Sequence, residues 1–329
     1  MNIFPSGCRG EFCRLDNVFM TKELFLFMKI LLFVLILSVF SCNKNINEPS
    51  ANKESAVSQI PLYHTWLSLK EMEYKSSGAL SVNNVPRDFL PWAGIVSHHI
   101  LAHDYIDAWF FHLSQMRDIK RFFIISPDHY GVSLQPFSLT IGSWDSRISG
   151  NASGSIGFVE SDRDKVNEIA GLLEVSLDPN VFFMEHGISA LMPYIKKYFP
   201  EAKVIAIAVS AESEVNTRTG GMLTDVLEKE FDIKGKLENF LLISSDFSHK
   251  GGVEETALND YKSMQYLKNI NNAFWNMVIC DNRMGIYVLD RMGKKNSESV
   301  ILYHTSSYDI SGYDEDITSY FFVYFADKE

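Results

Sequence analysis

The chain has 329 residues, of which 46% are hydrophobic, so it can bury the core of one large or two ordinary domains. This hydrophobic content excludes an intrinsically disordered chain. The net charge of −11 at pH 7 argues against a nucleic-acid partner, because binding to phosphates needs clustered Lys and Arg.

The first predicted element is a leader that ends at Cys42. Lys29 precedes an apolar run at 30–40, and Ser41-Cys42 is followed by the polar segment Asn43-Lys44-Asn45. The run is shorter than the roughly 20 residues that span a bilayer, and it is typical of a signal-peptide core. We therefore expect a bacterial lipoprotein, translated from Met1, Met20 or Met28 and held at the cell envelope by a lipid on Cys42. A plain N-terminal anchor and an ordinary buried helix are the alternatives.

The chain after the leader predicts a tether and lead-in at 43–85 and one α/β domain at 86–329. Short apolar runs rich in β-branched and aromatic residues alternate there with amphipathic stretches, a pattern typical of a largely parallel central sheet flanked by helices. The predicted strands are 92–97, 121–126, 203–210, 239–244 and 319–325. The predicted helices are 102–117, 162–173, 188–199, 215–231, 254–268 and 273–292.

Three of the predicted strands end in an apolar run, then Ser, then polar residues. These ends are Ser97-His98-His99, Ser126-Pro127-Asp128-His129, and Ser244-Ser245-Asp246-Phe247-Ser248-His249. The carboxyl ends of parallel strands open on one crevice, so the pattern indicates a shared metal or acid/base site. A single His at a strand end is more often a surface residue, and spacing alone leaves both interpretations open.

Two further segments carry candidate groups. Glu185-His186 precedes the predicted helix 188–199, which could bring an imidazole to the same crevice. Cys280 lies inside the predicted helix 273–292, and on the residues alone it is best interpreted as a buried thiol. The remaining histidines fit no such pattern and are assigned to surface or core positions: His64, His103, His112 and His304.

These segments resemble the Memo family, in particular the AmmeMemoRadiSam system protein B group. The stretch Val96-Ser97-His98-His99-Ile100-Leu101-Ala102 is similar to Val-Pro-His-His-Leu-Leu-Ala of that group, and Ser126-Pro127-Asp128-His129 to its Gly-Pro-Asp/Ser-His. Glu185-His186 with Leu191-Met192-Pro193-Tyr194 is similar to its Glu-His-Ser helix start, and 244–249 to its Ser-Ser-Asp-Phe-Ser-His signature. The resemblance spans about 90–325 in order.

The resemblance implies a fold similar to the class III extradiol dioxygenases, whose site binds non-haem iron. It implies that His98, His129 and Cys280 are the metal ligands, which replaces the interpretation of Cys280 as a buried thiol. Around them it places His249, His186 and Asp246 as proton-transfer and orienting groups, and His99, Asp128 and Glu185 as supporting residues. Spacing leaves open whether His98 or His99 is the ligand, because neighbours on a strand point in opposite directions; we choose His98.

The sequence departs from the family pattern at residues close to these ligands. Ser97 replaces the usual Pro, Gly187 replaces the Ser after Glu-His, Ser189 stands where Glu is common, and Asp281-Asn282-Arg283 replaces Gly-Arg-His. Such residues orient ligands, so the substrate and the preferred metal could differ from those of relatives.

Two imidazoles and a thiolate suit iron(II) or copper, with zinc as a further candidate. We expect oxygen-linked redox chemistry on a small molecule that the sequence does not identify. A non-catalytic metal-binding lipoprotein and a peptide- or partner-binding module are the alternatives, and the resemblance raises proteins of a radical-SAM system as partners.

Overall fold

The computed structural model describes residues 60–68, 80, 85–147, 157–211, 216–232, 234–268, 270, 274–293 and 297–327. The leader at 1–42, with Cys42, and the tether at 43–59 lie outside these residues. Among the helices of the described ranges, none has the length and apolar character needed to cross a membrane.

The described residues form ten strands, nine α-helices and four short 3-10 helices. The strands are β1 (Leu62–His64), β2 (Ala93–Val96), β3 (Arg121–Pro127), β4 (Phe137–Leu139), β5 (Ser143–Asp145), β6 (Phe158–Glu160), β7 (Lys203–Val209), β8 (Asn239–Ser244), β9 (Ser297–Ser306) and β10 (Ser319–Asp327). The helices are α1 (His103–Met116), α2 (Arg163–Leu172), α3 (His186–Ser189), α4 (Met192–Tyr198), α5 (Thr217–Leu227), α6 (Gly235–Glu238), α7 (Val253–Lys268), α8 (Arg283–Gly293) and α9 (Ser307–Ser311).

Seven strands form the main sheet in the order β4-β7-β3-β8-β2-β10-β9. The four central strands β7, β3, β8 and β2 are parallel, whereas β4, β10 and β9 pair antiparallel with their neighbours. The sheet is therefore mixed, and our expectation of a largely parallel sheet is corrected. At β9 and β10, the short connection through α9 favours an antiparallel pair of adjacent strands.

Both faces of the main sheet are covered, which explains the nearly unbroken apolar runs of its central strands. Along β3 the side chains alternate between two cores: Phe122 and Ile124 pack on one face, and Phe123 and Ile125 on the other. Helix α1 covers the first face through Ile106, Trp109, Phe110 and Leu113, which recur at helical spacing. Helices α2, α5 and α8 cover the second face.

A smaller sheet of order β1-β5-β6 joins the lead-in to the domain. Strand β1 pairs in parallel with β5, and Tyr63 is buried in the core and lies 2.5 Å from the Thr140 hydroxyl. The described part of the lead-in is thus packed against the domain.

Two predicted helices differ from the observed ones. The predicted helix 188–199 is divided into α3 and α4, with Pro193 in the first turn of α4, a position where proline is tolerated because no backbone hydrogen bond is needed. The predicted helix 273–292 is helical as α8 only from Arg283 onward. Before it, Cys280 forms an antiparallel bridge with Phe247, so the backbone is extended there.

Candidate metal centre

His98 follows β2 at the carboxyl edge of the parallel strands, and it is only 2% exposed. Its Nδ1 lies 2.9 Å from the Ser244 hydroxyl, which itself donates its hydrogen to the carbonyl oxygen of Gly187. The hydroxyl has a single hydrogen, so it must accept from Nδ1–H of His98. Nε2 therefore carries the free lone pair of the neutral ring, and this atom faces Asp246 and Asp281.

His129 follows β3, and Glu185 fixes its ring in the same way. The Glu185 carboxylate accepts from His129 Nδ1 at 2.7 Å and from the His129 backbone N–H at 2.9 Å. Glu185 also accepts from the backbone N–H of Gly187, so it caps α3 while it orients the imidazole. A carboxylate on one ring nitrogen leaves the other, Nε2, available for an ion.

The Nε2 atoms of His98 and His129 both face the carboxylate of Asp281. Its Oδ2 lies 3.4 Å from Nε2 of His98 and 3.4 Å from Nε2 of His129, while Nε2 of His249 lies 3.7 Å away. Its Oδ1 accepts from the Ser245 hydroxyl and from the backbone N–H of Asp246. The end of β8 thereby aims the second oxygen of Asp281 at the histidines.

Asp246, directly after β8, supplies a second carboxylate near Nε2 of His98. Its Oδ1 accepts from the Ser97 hydroxyl at 2.6 Å, and its Oδ2 lies 3.7 Å from His98 Nε2. Ser97, which stands where the family usually has Pro, therefore has a definite role: it orients a carboxylate toward the centre.

The ring of His186, the first residue of α3, has its centroid 4.2 Å from that of His129, at a tilt of 38°, and 5.2 Å from that of His98, in an edge-on arrangement. Its Nδ1 is buried, and within the described part of the chain no hydrogen-bond partner meets it. A buried nitrogen without a partner costs free energy, which a bound ligand or ion at this edge could recover.

The three histidines differ in the direction in which their surroundings shift the pKa. Burial by itself would lower the pKa values of His98 and His129, but the carboxylates outweigh it: Asp246 and Asp281 raise the pKa of His98, and Asp281 and Glu185 raise that of His129 to about 10. Burial, together with repulsion from His129 and His98, lowers the pKa of His186 to about 4. At neutral pH the ring of His186 is therefore uncharged.

The attraction between imidazoles and carboxylates also shifts the pKa of Asp281. Burial would raise its pKa, but the three imidazoles around it hold that pKa well below the usual range. A carboxylate that stays ionised beside several nitrogen donors is the arrangement that a divalent cation needs.

The donor atoms have the spacing of metal ligands. Two groups each bring three donor atoms within 4.8 Å of one another: His98, His129 and His186, and His98, Asp246 and Asp281. Ligand atoms about 2.1 Å from an ion and at right angles to one another are about 3 Å apart, close to the separations between Asp281 and the two Nε2 atoms. The residues present therefore fit a first-row divalent metal.

Comparison with known families covers the part of the chain that contains this site. A family model described as a Memo-like protein matches residues 89–323, most of the chain. The chain belongs to the Memo-like family. The match contains every donor of both groups.

Curated relatives of this Memo-like protein carry the same family name. The chain is 26% identical over 276 residues to a MEMO1 family protein of Caldivirga maquilingensis, a match that covers 80% of this chain and 90% of that one. It is 24% identical over 213 residues to the MEMO1 family protein PAE0818 of Pyrobaculum aerophilum, covering 62% and 72%. Among solved structures, the uncharacterized protein JW3007 from Escherichia coli K12 aligns with a TM-score of 0.42 at 12% identity, covering 69% of this chain and 98% of that chain.

Several residues predicted for the Memo-like site lie beside it rather than in it. His99 turns away, and its Nδ1 pairs with the hydroxyl of Tyr320. Asp128 accepts from the backbone N–H groups of Tyr130 and Ser133, so it shapes the loop that carries His129. His249 reaches only the outer side of Asp281, with 41% of its side chain exposed.

Cys280 adjoins the site in sequence, but in the described residues it belongs to neither group of convergent donor atoms. Its sulfur influences Tyr266 instead: burial, Asp290 and Cys280 together raise the pKa of that tyrosine. The next residue, Asp281, provides the side chain that faces the histidines. That Cys280 is a ligand stays a prediction.

Sequence reasoning named three members of this arrangement only as parts of motifs or as departures from the family pattern, without giving them a role in the site: Asp281, Ser244 and Asn282. The amide of Asn282 donates to the carbonyl oxygens of Ile125 and Ser244, at 2.8 Å each, and accepts from the backbone N–H of Gly285. It therefore ties the ends of β3 and β8 to the start of α8. An Asn before an amphipathic stretch is a helix-start signal, which would have placed Asp281 just outside the helix.

Proposed function

We propose that this chain is a metal-dependent redox protein of the Memo-like family, in which His98 and His129 bind iron(II) through their Nε2 atoms and Asp281 is the third ligand. The observation that carries the proposal is the position of Asp281 Oδ2, equally distant from the two Nε2 atoms. Two imidazoles and one carboxylate with open positions are typical of non-haem iron(II) oxygenases. Copper, which a Cys280 thiolate would favour, and zinc are the competing ions.

A bound iron(II) ion would supply the one-electron steps by which dioxygen reacts with a small molecule. The chain's own residues prepare the site for it. Ser244 and Glu185 hold the two imidazoles in the tautomer that presents Nε2. His186, uncharged at neutral pH and with its Nδ1 unpartnered, is the group we propose to accept a proton, with His249 at the exposed side as the donor to solvent.

Metal loading of histidine variants tests the proposal. His98→Ala and His129→Ala should retain at most about a tenth of the iron that wild type binds after anaerobic loading and desalting, measured by elemental analysis. His304→Ala is the matched control, because His304 pairs with Asp260 at 2.7 Å far from these strand ends in sequence and outside both donor groups. Iron retained at the wild-type ratio in both site variants would overturn the proposal.

A second candidate, metal storage without catalysis, is favoured by the number of donors. The two groups together offer His98, His129, His186, Asp246 and Asp281, enough to fill the coordination sphere of an ion with protein atoms and leave no position for substrate. Oxygen uptake by the iron-loaded protein with candidate reductants separates the two functions. Uptake that is abolished in His129→Ala supports catalysis, whereas tight stoichiometric iron without uptake supports storage.

We also propose that Cys42 is lipidated and holds the domain at the bacterial cell envelope. The support is the sequence of the leader: a charged start, a short apolar run, and Ser41-Cys42 before a polar segment. Cys42→Ala should move the protein from the detergent phase to the aqueous phase on Triton X-114 partitioning. Cys13→Ala, which changes a cysteine upstream of the apolar run, should leave the partition unchanged. Equal partition of the two variants would rule out the anchor.

A further inference from the structure

A pocket of about 220 Å³ opens beside the metal centre, at the carboxyl ends of β3 and β7. His129 and Asp281 form one end of it. Pro127, Val209, Ala211 and Met284 form its apolar walls. It lies where open α/β sheets bind ligands, and its polar end is the pair of groups proposed to hold the metal.

The volume sets the size of the group that the pocket can bury. Drug-sized ligands occupy pockets of about 300–1,000 Å³, whereas an apolar cavity of about 150 Å³ is large enough to bind benzene. A pocket of about 220 Å³ therefore accommodates a single six-membered ring with one or two small substituents.

The polar side chains in the walls of the pocket already form hydrogen bonds with the protein backbone. Asp128 accepts from two backbone N–H groups, and the Asn282 amide makes three hydrogen bonds to the backbone. Among the described side chains that line the pocket, most of the remaining capacity for hydrogen bonds therefore lies at the end formed by His129 and Asp281. The rest of a ligand's surface meets mostly carbon atoms, which favours an apolar body.

Charge limits the ligand further. Among the described residues that line the pocket there is no Lys or Arg. Asp128 and Asp281 are acidic, and the charge of protonated His129 is balanced by Glu185 and Asp281, which lie 2.7 and 3.4 Å from its ring nitrogens. A divalent ion bound by one or two carboxylates has little net positive charge left to attract an anion. A carboxylate or phosphate on the ligand would thus lose its hydration without gaining a counter-charge.

We infer that this pocket binds an uncharged molecule about the size of one six-membered ring, with its polar substituent directed at His129 and Asp281. The inference rests on the proposed function for its role as the substrate pocket, because the polar end is the metal centre. As a binding site, the pocket can be tested with and without the ion.

Three probes that share one ring and differ in charge test the inference: benzyl alcohol, benzoate and benzylammonium. Titrations followed by NMR on iron-free and on zinc-loaded protein, zinc being the diamagnetic substitute, should show benzyl alcohol binding at least about tenfold more tightly than benzoate. Nuclear Overhauser effects from its ring protons to the methyl groups of Val209 and Met284 should locate it in the pocket. Preferential binding of benzoate or of benzylammonium would overturn the inference.

Two tryptophan variants provide the matched comparison. Ala211→Trp places an indole at the exposed rim and should weaken benzyl alcohol binding about tenfold or more, whereas Ala257→Trp, at an exposed position of α7, should leave it unchanged. Equal affinities of the two variants would overturn the inference. If benzyl alcohol binds in this way but no metal binds, the inference about the pocket holds and the proposed function fails. If metal binds but benzyl alcohol does not, the proposed function holds and the inference about the pocket fails.

Discussion

Among the described residues, two of the places where a histidine lies beside an aspartate differ in how well the pair is satisfied. At the β9 edge, His304 Nε2 lies 2.7 Å from Asp260 Oδ2, and Ser319 donates to the other oxygen of the same carboxylate. At the candidate metal centre three imidazoles surround Asp281, yet none comes closer than 3.4 Å to its Oδ2.

The difference shows that identical residue types serve different purposes. The His304–Asp260 pair has normal hydrogen-bond geometry and is complete without a further atom. Around Asp281 the separations are too long for good hydrogen bonds but suit ligands that share an ion. The parallel strands cause this difference, since they bring residues that are far apart in sequence to one edge of the sheet, where each residue follows a different strand.

The largest effect that tests this comparison is expected for Asp281→Asn. Without the carboxylate between the imidazoles, the affinity for iron(II) should fall by roughly 100-fold, while Asp260→Asn at the complete pair should leave it unchanged. Competition with a metal-binding dye measures both.

Cys280→Ser is the companion variant to Asp281→Asn, because it distinguishes the two candidates for the third ligand. If Asp281 is the ligand, Cys280→Ser retains iron at close to wild-type affinity. A loss on Cys280→Ser equal to that on Asp281→Asn would return the thiolate to the ligand set.

A pH titration of metal binding should give the next largest effect. Protonated imidazole cannot bind an ion, and the carboxylates raise the pKa of His98 and raise that of His129 to about 10. The ion must displace these protons, so its affinity should increase with pH between 6 and 8, by about tenfold per unit for each proton released. Isothermal titration in buffers of different ionisation enthalpy counts the protons, and an affinity independent of pH would contradict the raised pKa values.

A smaller effect, on stability, is expected for Asn282→Ala. The change leaves the buried carbonyl oxygens of Ile125 and Ser244 without the amide that bonds both, so the free energy of unfolding should fall by about 1–3 kcal/mol. Asn167→Ala removes a single exposed side-chain hydrogen bond on α2 and should change stability by less than about 0.5 kcal/mol. Urea denaturation compares them, and equal midpoints would show that Asn282 does not join the strands.

The sequence predicted those parts of the fold that depend on local pattern. The central strands were identified because their apolar runs are buried on both faces, and His98 and His129 because each directly follows such a run. Strand β9 was missed because its residues are mostly half-exposed and carry no continuous apolar run. The role of Asp281 was missed because it depends on an extended segment paired with Phe247, a contact between distant parts of the chain that no local periodicity reports.

The crowding at Gly187 also bears on how this lineage diverged from its relatives. A Cβ at that position would lie 2.2 Å from Ser126 Oγ and 2.9 Å from Glu185 Oε1. The resembling family pattern has the opposite combination, with Gly before the Pro at 127 and Ser after Glu-His. The two positions are therefore expected to vary together, because a side chain at 187 needs the space that the Ser126 hydroxyl occupies.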